Sequence, residues 1–118
     1  MGVAYYANYL AFFESARVEA MRQIGAEYAS VVRRGVHLPV VEASVRYLLP
    51  AVFDDLLLVR ARADDLRGAR FTFRYEVLRE IDGAPIANGH TVHAVVDADS
   101  LRPIRIPQWL RDDLARLQ

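Results

Sequence analysis

The first twenty-five residues, MGVAYYANYLAFFESARVEAMRQIG, constrain this chain more than any other stretch. From about Asn8, apolar residues fall at Tyr9, Phe12, Phe13, Ala16, Ala20 and Ile24, the spacing of one helical face. Leu10, Val18 and Met21 extend the apolar surface round the sides. A helix so apolar needs cover on more than one flank. Helix formers dominate its second half, and Gly25 stands where a left-handed C-terminal cap belongs. The simplest account is a sheet curled around a central helix.

The rest of the sequence supplies such a sheet. After a short second helix over 26–34, closed by Gly35, the period changes to two. Pro39 removes a ladder donor, so His37 to Val41 reads as an edge, bulge or strand start. Ala43, Val45 and Tyr47 then alternate with Glu42, Ser44 and Arg46, a strand with one wet face. Leu56 to Ala63 is a second strand, and Asp64 to Ala69 a turn. Phe71, Phe73, Tyr75 and Val77 alternate with Thr72, Arg74 and Glu76, the clearest strand of all. Asp82-Gly83 is a hairpin turn leading into a partner strand over 86–96. Leu101 to Ile106 adds a last short strand, and Pro107 suits the first turn of a closing helix over 108–117. Helix first and a meander of about four strands after it define an α+β domain spanning 1–118.

Composition limits the functions open to such a domain. Fifteen basic residues, all arginine, balance fifteen acidic ones, so no general attraction to nucleic acid or membrane is expected. With 53% hydrophobic residues on a neutral chain, self-association is expected. No cysteine occurs, which excludes disulfides and thiolate chemistry and fits a reducing, cytoplasmic setting. The start has no signal-peptide pattern, and no apolar run approaches the ~20 residues of a membrane helix. His90 and His93, three apart on a strand, point to opposite faces, and His37 precedes a proline. No metal site is expected from them.

The turn before the helix is the first place to look for chemistry. Gly2 permits close backbone approach, and the amides of roughly Tyr5 to Asn8 are the donors that a helix start leaves unsatisfied. Such amides, with the positive end of the helix dipole, can hold an anion or a developing oxyanion. Every helix has such an end, so on its own this feature defines no site. Tyr9, Phe12 and Phe13 have the spacing of core residues rather than of a dedicated acyl pocket.

Several segments carry a resemblance to a known family. These are Gly2-Val3-Ala4-Tyr5-Tyr6-Ala7-Asn8-Tyr9, Phe13-Glu14-Ser15-Ala16-Arg17, Leu38-Pro39-Val40-Val41-Glu42-Ala43, Tyr47-Leu48-Leu49-Pro50-Ala51 and Arg105-Ile106-Pro107. In this order they resemble the hotdog-fold acyl-CoA thioesterases of the 4-hydroxybenzoyl-CoA thioesterase family, over nearly the whole chain. The resemblance implies a long central helix wrapped by a curved antiparallel sheet. It also implies a dimer with continuous sheets, assembled further into a homotetramer. The implied activity is hydrolysis of an acyl-CoA thioester to a free acid and coenzyme A, without metal or cofactor.

By the same resemblance, the backbone N–H of Tyr6 polarises the thioester carbonyl and Gly2 keeps the approach open. Counting back three from Gly2 places the family's catalytic aspartate ahead of Met1. The sheet's first strand, which carries that residue, is likewise expected to be missing from this chain. Glu14 is then the best carboxylate within it, since related hotdog enzymes use a helix glutamate from a partner subunit. Arg67 and Arg70 are the leading candidates for the phosphates of coenzyme A, with Arg102 and Arg105 second. The missing aspartate also favours an alternative, a non-catalytic acyl-CoA or acyl-carrier binding protein.

Overall fold

The inward positions of the Phe71–Val77 run form the floor of the core. Phe71, Phe73, Tyr75 and Val77 are each at most 1% exposed. In the computed structural model, which describes residues 7–52 and 54–118, they belong to β4 (Arg70–Arg79). This strand pairs antiparallel with β3 (Leu57–Arg67) on one side and β5 (Pro85–Ala94) on the other. The Asp82-Gly83 turn joins β4 to β5 as predicted, with Gly83 at φ 70°. β2 (Val40–Tyr47) adds to the far side of β5, giving the order β2-β5-β4-β3. The sheet is therefore not the simple four-strand meander of the sequence reading, because β2 crosses past two strands to reach its partner.

Helix α1 (Ala7–Gln23) lies on the inner face. Among its described side chains Tyr9, Phe13 and Met21 are buried and Phe12, Ala16 and Ala20 half-buried, as is Ile24 just past its end. Gly25 takes the left-handed conformation (φ 77°) and closes the helix. Leu10 and Val18, expected to need cover, stay about half exposed in the single chain. Opposite Phe13 stands Gly89, where an added Cβ would come within 2.7 Å of the Phe13 ring. The missing side chain is what lets the helix approach the sheet this closely.

Helix α2 (Tyr28–Arg33) and the two-residue strand β1 (Val36–His37) follow, the latter pairing with β6 (Val96–Asp97). The partner strand predicted over 86–96 is thus divided between β5 and β6. Leu38-Pro39 interrupts pairing before β2, and the register shifts between Val40 and Glu42, the bulge that Pro39 foreshadowed. β2 is exposed on both faces apart from Val45, rather than dry on one, because it is the sheet's edge.

Two further expectations need correction. β3 does not turn at Asp64 but runs on to Arg67, absorbing a bulge at Asp65 (φ 49°). Arg74 holds this irregularity with hydrogen bonds to Asp64 (2.6 Å) and Asp65 (2.9 Å), and the first of them keeps the Asp64 carboxyl below its ordinary pKa. The segment 101–106 is no strand. Its ladder contact is a single bridge, Val96 to Pro103, and Leu101 adopts φ 61°, which bends the chain away. Pro107 caps α3 (Gln108–Ala115) from just outside rather than sitting in its first turn. Leu110 and Leu114 of α3 enter the core, and the Ala63 amide donates to the Leu117 carbonyl, so the C-terminal segment docks against β3.

Candidate active site

Gly2 and Tyr6 lie outside the described residues, so the site is visible from the first turn of α1 onward. Tyr9 meets Tyr47, at the end of β2, edge-on with ring centroids 5.5 Å apart. The amides of Leu48 and Leu49 both donate to the Ile86 carbonyl, folding the chain after β2 against the start of β5. Leu48, Leu49 and Val52 are each about half exposed, an apolar rim at the end of the molecule where α1 begins. Arg79 clamps this loop: its guanidinium reaches the Asp55 carboxylate (3.3 Å), the Pro50 carbonyl (3.3 Å) and Asp82 (3.1 Å).

Glu14 projects into solvent from the second turn of the helix and makes no hydrogen bond or ion pair with the described residues. It stands seven residues beyond Ala7, roughly 10 Å along the helix axis. It is therefore beside the helix start but not at it.

The arginine candidates gather at the other end. Arg67 and Arg70 face each other across the β3–β4 turn, and the Gly68 carbonyl there accepts from the Ile106 amide at 2.8 Å. Arg105 is thus brought beside that turn, while Arg102 sits further back against β6, its carbonyl bonded to the Asp97 amide. The Arg67 side chain is 85% exposed, with Asp65 3.8 Å away. Tyr47 lies across from Ala87 and Ala87 across from Val77, so the helix start is level with Val77. Seven residues of β4 separate Val77 from Arg70, roughly 24 Å at ~3.4 Å per residue. One chain alone does not bring its arginine turn to its helix start.

The histidines divide as their spacing requires. His90 faces outward, 3.3 Å from Glu42. His93 is 1% exposed and stacks on Phe71 at 5.1 Å. Burial pushes its pKa down to about 4, so the ring is neutral. No three of the described His, Asp and Glu residues are placed to hold a metal ion. A hollow of about 850 Å³ on the outer sheet face is lined by Arg60, Arg62, Arg74, Glu76 and His90. It lies across the sheet from α1, and two of its arginines are already engaged with Asp64.

Sequence reasoning passed over Arg79 and Thr91 and read Tyr75 only as an inward strand residue, not as a hydrogen-bonding one. Only Thr91 carried a signal, as a polar residue in period-two step with His93 on the face that must be dry. The partners of Arg79 and Tyr75 are distant in sequence, and nothing local marks them.

A central helix held in the concave face of a curved antiparallel sheet defines a hotdog fold. A model of the Thioesterase-like superfamily matches residues 1–114, and the chain belongs to that family. It is 29% identical to acyl-CoA thioesterase YbgC of Haemophilus influenzae over 111 residues, covering 93% of this chain and 80% of that protein. It is 30% identical to the 1,4-dihydroxy-2-naphthoyl-CoA hydrolase of Thermosynechococcus vestitus over 115 residues, covering 93% and 78%. Among solved structures, protein TT1821 of Thermus thermophilus superposes with a TM-score of 0.86 at 36% identity, covering 100% of this chain and 88% of that one. The DHNA-CoA thioesterase of Staphylococcus aureus gives 0.81 at 28%, covering 95% and 74%.

Proposed function

We propose that the chain is an acyl-CoA thioesterase, hydrolysing a thioester to a free carboxylic acid and coenzyme A at the start of α1. The family match over residues 1–114 carries this reading. A thioester has an electrophilic carbonyl carbon and a thiolate that leaves readily. The site therefore has two tasks, to polarise the carbonyl and to activate water. The Tyr6 amide donates to the carbonyl oxygen, with Gly2 leaving room for the substrate. Glu14 of a second copy takes a proton from water, the water oxygen bonds to the carbonyl carbon, the carbon–sulfur bond breaks, and the proton passes on to the leaving thiolate. Arg67, Arg70, Arg102 and Arg105 receive the phosphates of coenzyme A. The scheme uses no metal or cofactor.

The working unit is a homodimer, paired again into a homotetramer, in the cytoplasm. Among the described residues no strand pairs with the outer edge of β2, where Val40 and Val41 are about half exposed, and this supports the dimer. A second copy laid antiparallel against that edge extends the sheet. It sets the partner's arginine turn at the same end of the joined sheet as this chain's helix start. The absence of cysteine and of any helix, among the described residues, able to cross a membrane is consistent with the cytoplasm.

The direct test is thiol release from benzoyl-, 1,4-dihydroxy-2-naphthoyl- and short fatty acyl-CoA, followed with a chromogenic thiol reagent. Release above the uncatalysed rate supports the enzyme. Saturable binding with no release replaces it with an acyl-CoA binding protein.

A further inference from the structure

Beneath α1, four side chains pass a hydrogen bond from the helix across the sheet. Arg17 Nη1 lies 2.9 Å from Tyr75 Oη, and Tyr75 Oη lies 2.7 Å from Thr91 Oγ1. Thr91 Oγ1 lies 2.8 Å from His93 Nε2, and His93 Nδ1 lies 3.1 Å from the Leu38 carbonyl oxygen. Tyr75, Thr91 and His93 are all buried.

The two ends dictate the direction of every bond between them. A guanidinium only donates and a carbonyl only accepts. His93 must therefore carry its proton on Nδ1 and donate to Leu38, which leaves Nε2 of the neutral ring as an acceptor. Thr91 donates to Nε2, Tyr75 donates to Thr91, and Arg17 donates to Tyr75. One arrangement of protons satisfies the whole chain, and no buried side-chain polar atom among the described residues lacks a partner.

We infer that Thr91, backed by His93, is a positioning residue for the thioester site: by orienting the Tyr75 hydroxyl it fixes where α1 rests along the sheet. The inference rests on the chemistry proposed for the helix start. Apolar contacts such as the Phe13–Tyr75 ring stack, 4.3 Å apart and 4° from parallel, are compatible with a small slide of one ring over the other. A hydrogen bond is directional and weakens steeply when bent, so the Arg17–Tyr75 bond sets the register that the stack leaves loose. Arg17 is ten residues from Ala7 on a continuous helix, and a shift there moves the first turn with it. Misplacement of a reacting group by ~1 Å costs on the order of 100-fold in rate. Among the described residues the Thr91 hydroxyl bonds to Tyr75 and His93 and to nothing in α1, so it acts through Tyr75.

The experiment compares Thr91→Val, which keeps the shape and removes the hydroxyl, with Thr91→Ser, which keeps the hydroxyl. For an acyl-CoA that the wild type hydrolyses, Thr91→Val is expected to lower kcat at least about tenfold, with KM within about twofold. Thr91→Ser is expected to recover most of that loss. Wild-type kcat in Thr91→Val overturns the inference, and so does equal impairment of both variants, which would point to lost packing. Should Thr91→Val fail to fold, Tyr75→Phe removes the hydroxyl that joins Arg17 to Thr91, and wild-type kcat in that variant likewise overturns the inference.

If the wild type releases no thiol from any acyl-CoA, the proposed function fails but the positioning role stays testable by amide hydrogen exchange across Ala7–Gln23. Faster exchange in Thr91→Val than in Thr91→Ser supports the role, and equal exchange ends it. Side-chain ¹⁵N shifts of His93 give an independent reading. A ring protonated on Nε2 contradicts the bond directions outright.

Discussion

The rings of Phe13 and Tyr75 lie 4.3 Å apart and within 4° of parallel, and Gly89 closes the space beside them. Helix and sheet meet closely here. Phe13→Ala is expected to cost about 3–5 kcal/mol, the usual range for emptying a buried phenylalanine site. Gly89→Ala is expected to cost about 1–3 kcal/mol by overpacking. Its Cβ would meet the Phe13 ring at 2.7 Å and lie closer still to the Ser44 carbonyl, which as backbone cannot move aside cheaply. Urea unfolding midpoints measure both, and a Gly89→Ala protein as stable as wild type would show that the helix is not held this tightly.

His93 makes stability depend on acid. Its pKa is pushed down to about 4 in the folded chain, against 6.5 for an ordinary histidine. Between those values the unfolded chain binds the extra proton, so stability rises with pH across this window. The contribution is fully present above about pH 6.5 and is lost as pH falls toward 4, by roughly 3 kcal/mol in all. His93→Gln can donate to Leu38 and accept from Thr91 without titrating. Its unfolding free energy is expected to vary less between pH 4 and 6.5 than that of the wild type.

Glu14 is exposed and makes no contact that the fold needs. Glu14→Gln is expected to leave the melting temperature unchanged and to lower kcat by about 100-fold or more, the contribution of a general base. Full activity in this variant would move the base elsewhere.

Arg67 and Arg70 likewise stand outside the core. Replacing both by alanine is expected to raise KM for acyl-CoA with little change in kcat. The effect should shrink as salt is added, because exposed charges are screened within ~10 Å at 0.1 M. A KM unaffected at low salt removes these arginines from the coenzyme site.

Ala43 sits mid-strand on the exposed edge of β2. Ala43→Lys introduces the kind of charge with which proteins block edge pairing. Sedimentation is expected to show smaller species than wild type at equal concentration, with activity falling in parallel. An unaltered distribution would place the subunit contact elsewhere.

Local pattern made the skeleton of this fold legible. The 3.6-residue spacing from Tyr9 to Ile24 gave α1, the alternation from Phe71 to Val77 gave β4, and Asp82-Gly83 gave the turn. What local pattern does not encode is which strands become neighbours. The pairing of β2 with β5 depends on how the whole sheet closes, and so does the exposure of both faces of β2. Leu101 to Ile106 alternates like a strand, yet the chain bends at Leu101 (φ 61°) and leaves one bridge. The Asp64-Asp65 pair has turn composition, but Arg74 draws both carboxylates onto a bulge and the strand continues. At the site, resemblance named Glu14 and the arginines but not the distance along β4 between the helix start and the arginine turn. The bond from Arg17 to Tyr75 spans 58 positions and leaves no trace in either neighbourhood.

The crossing of β2 past two strands also bears on how the chain folds. β3, β4 and β5 are consecutive and joined by short turns, so each closes a small loop on its predecessor. β2 has its partner only once that three-stranded unit exists, because Tyr47 must wait for Ala87. Contacts distant in sequence carry a larger closure entropy and form later. The three-stranded meander holds the more local pairings, so β2 is expected to condense on it last.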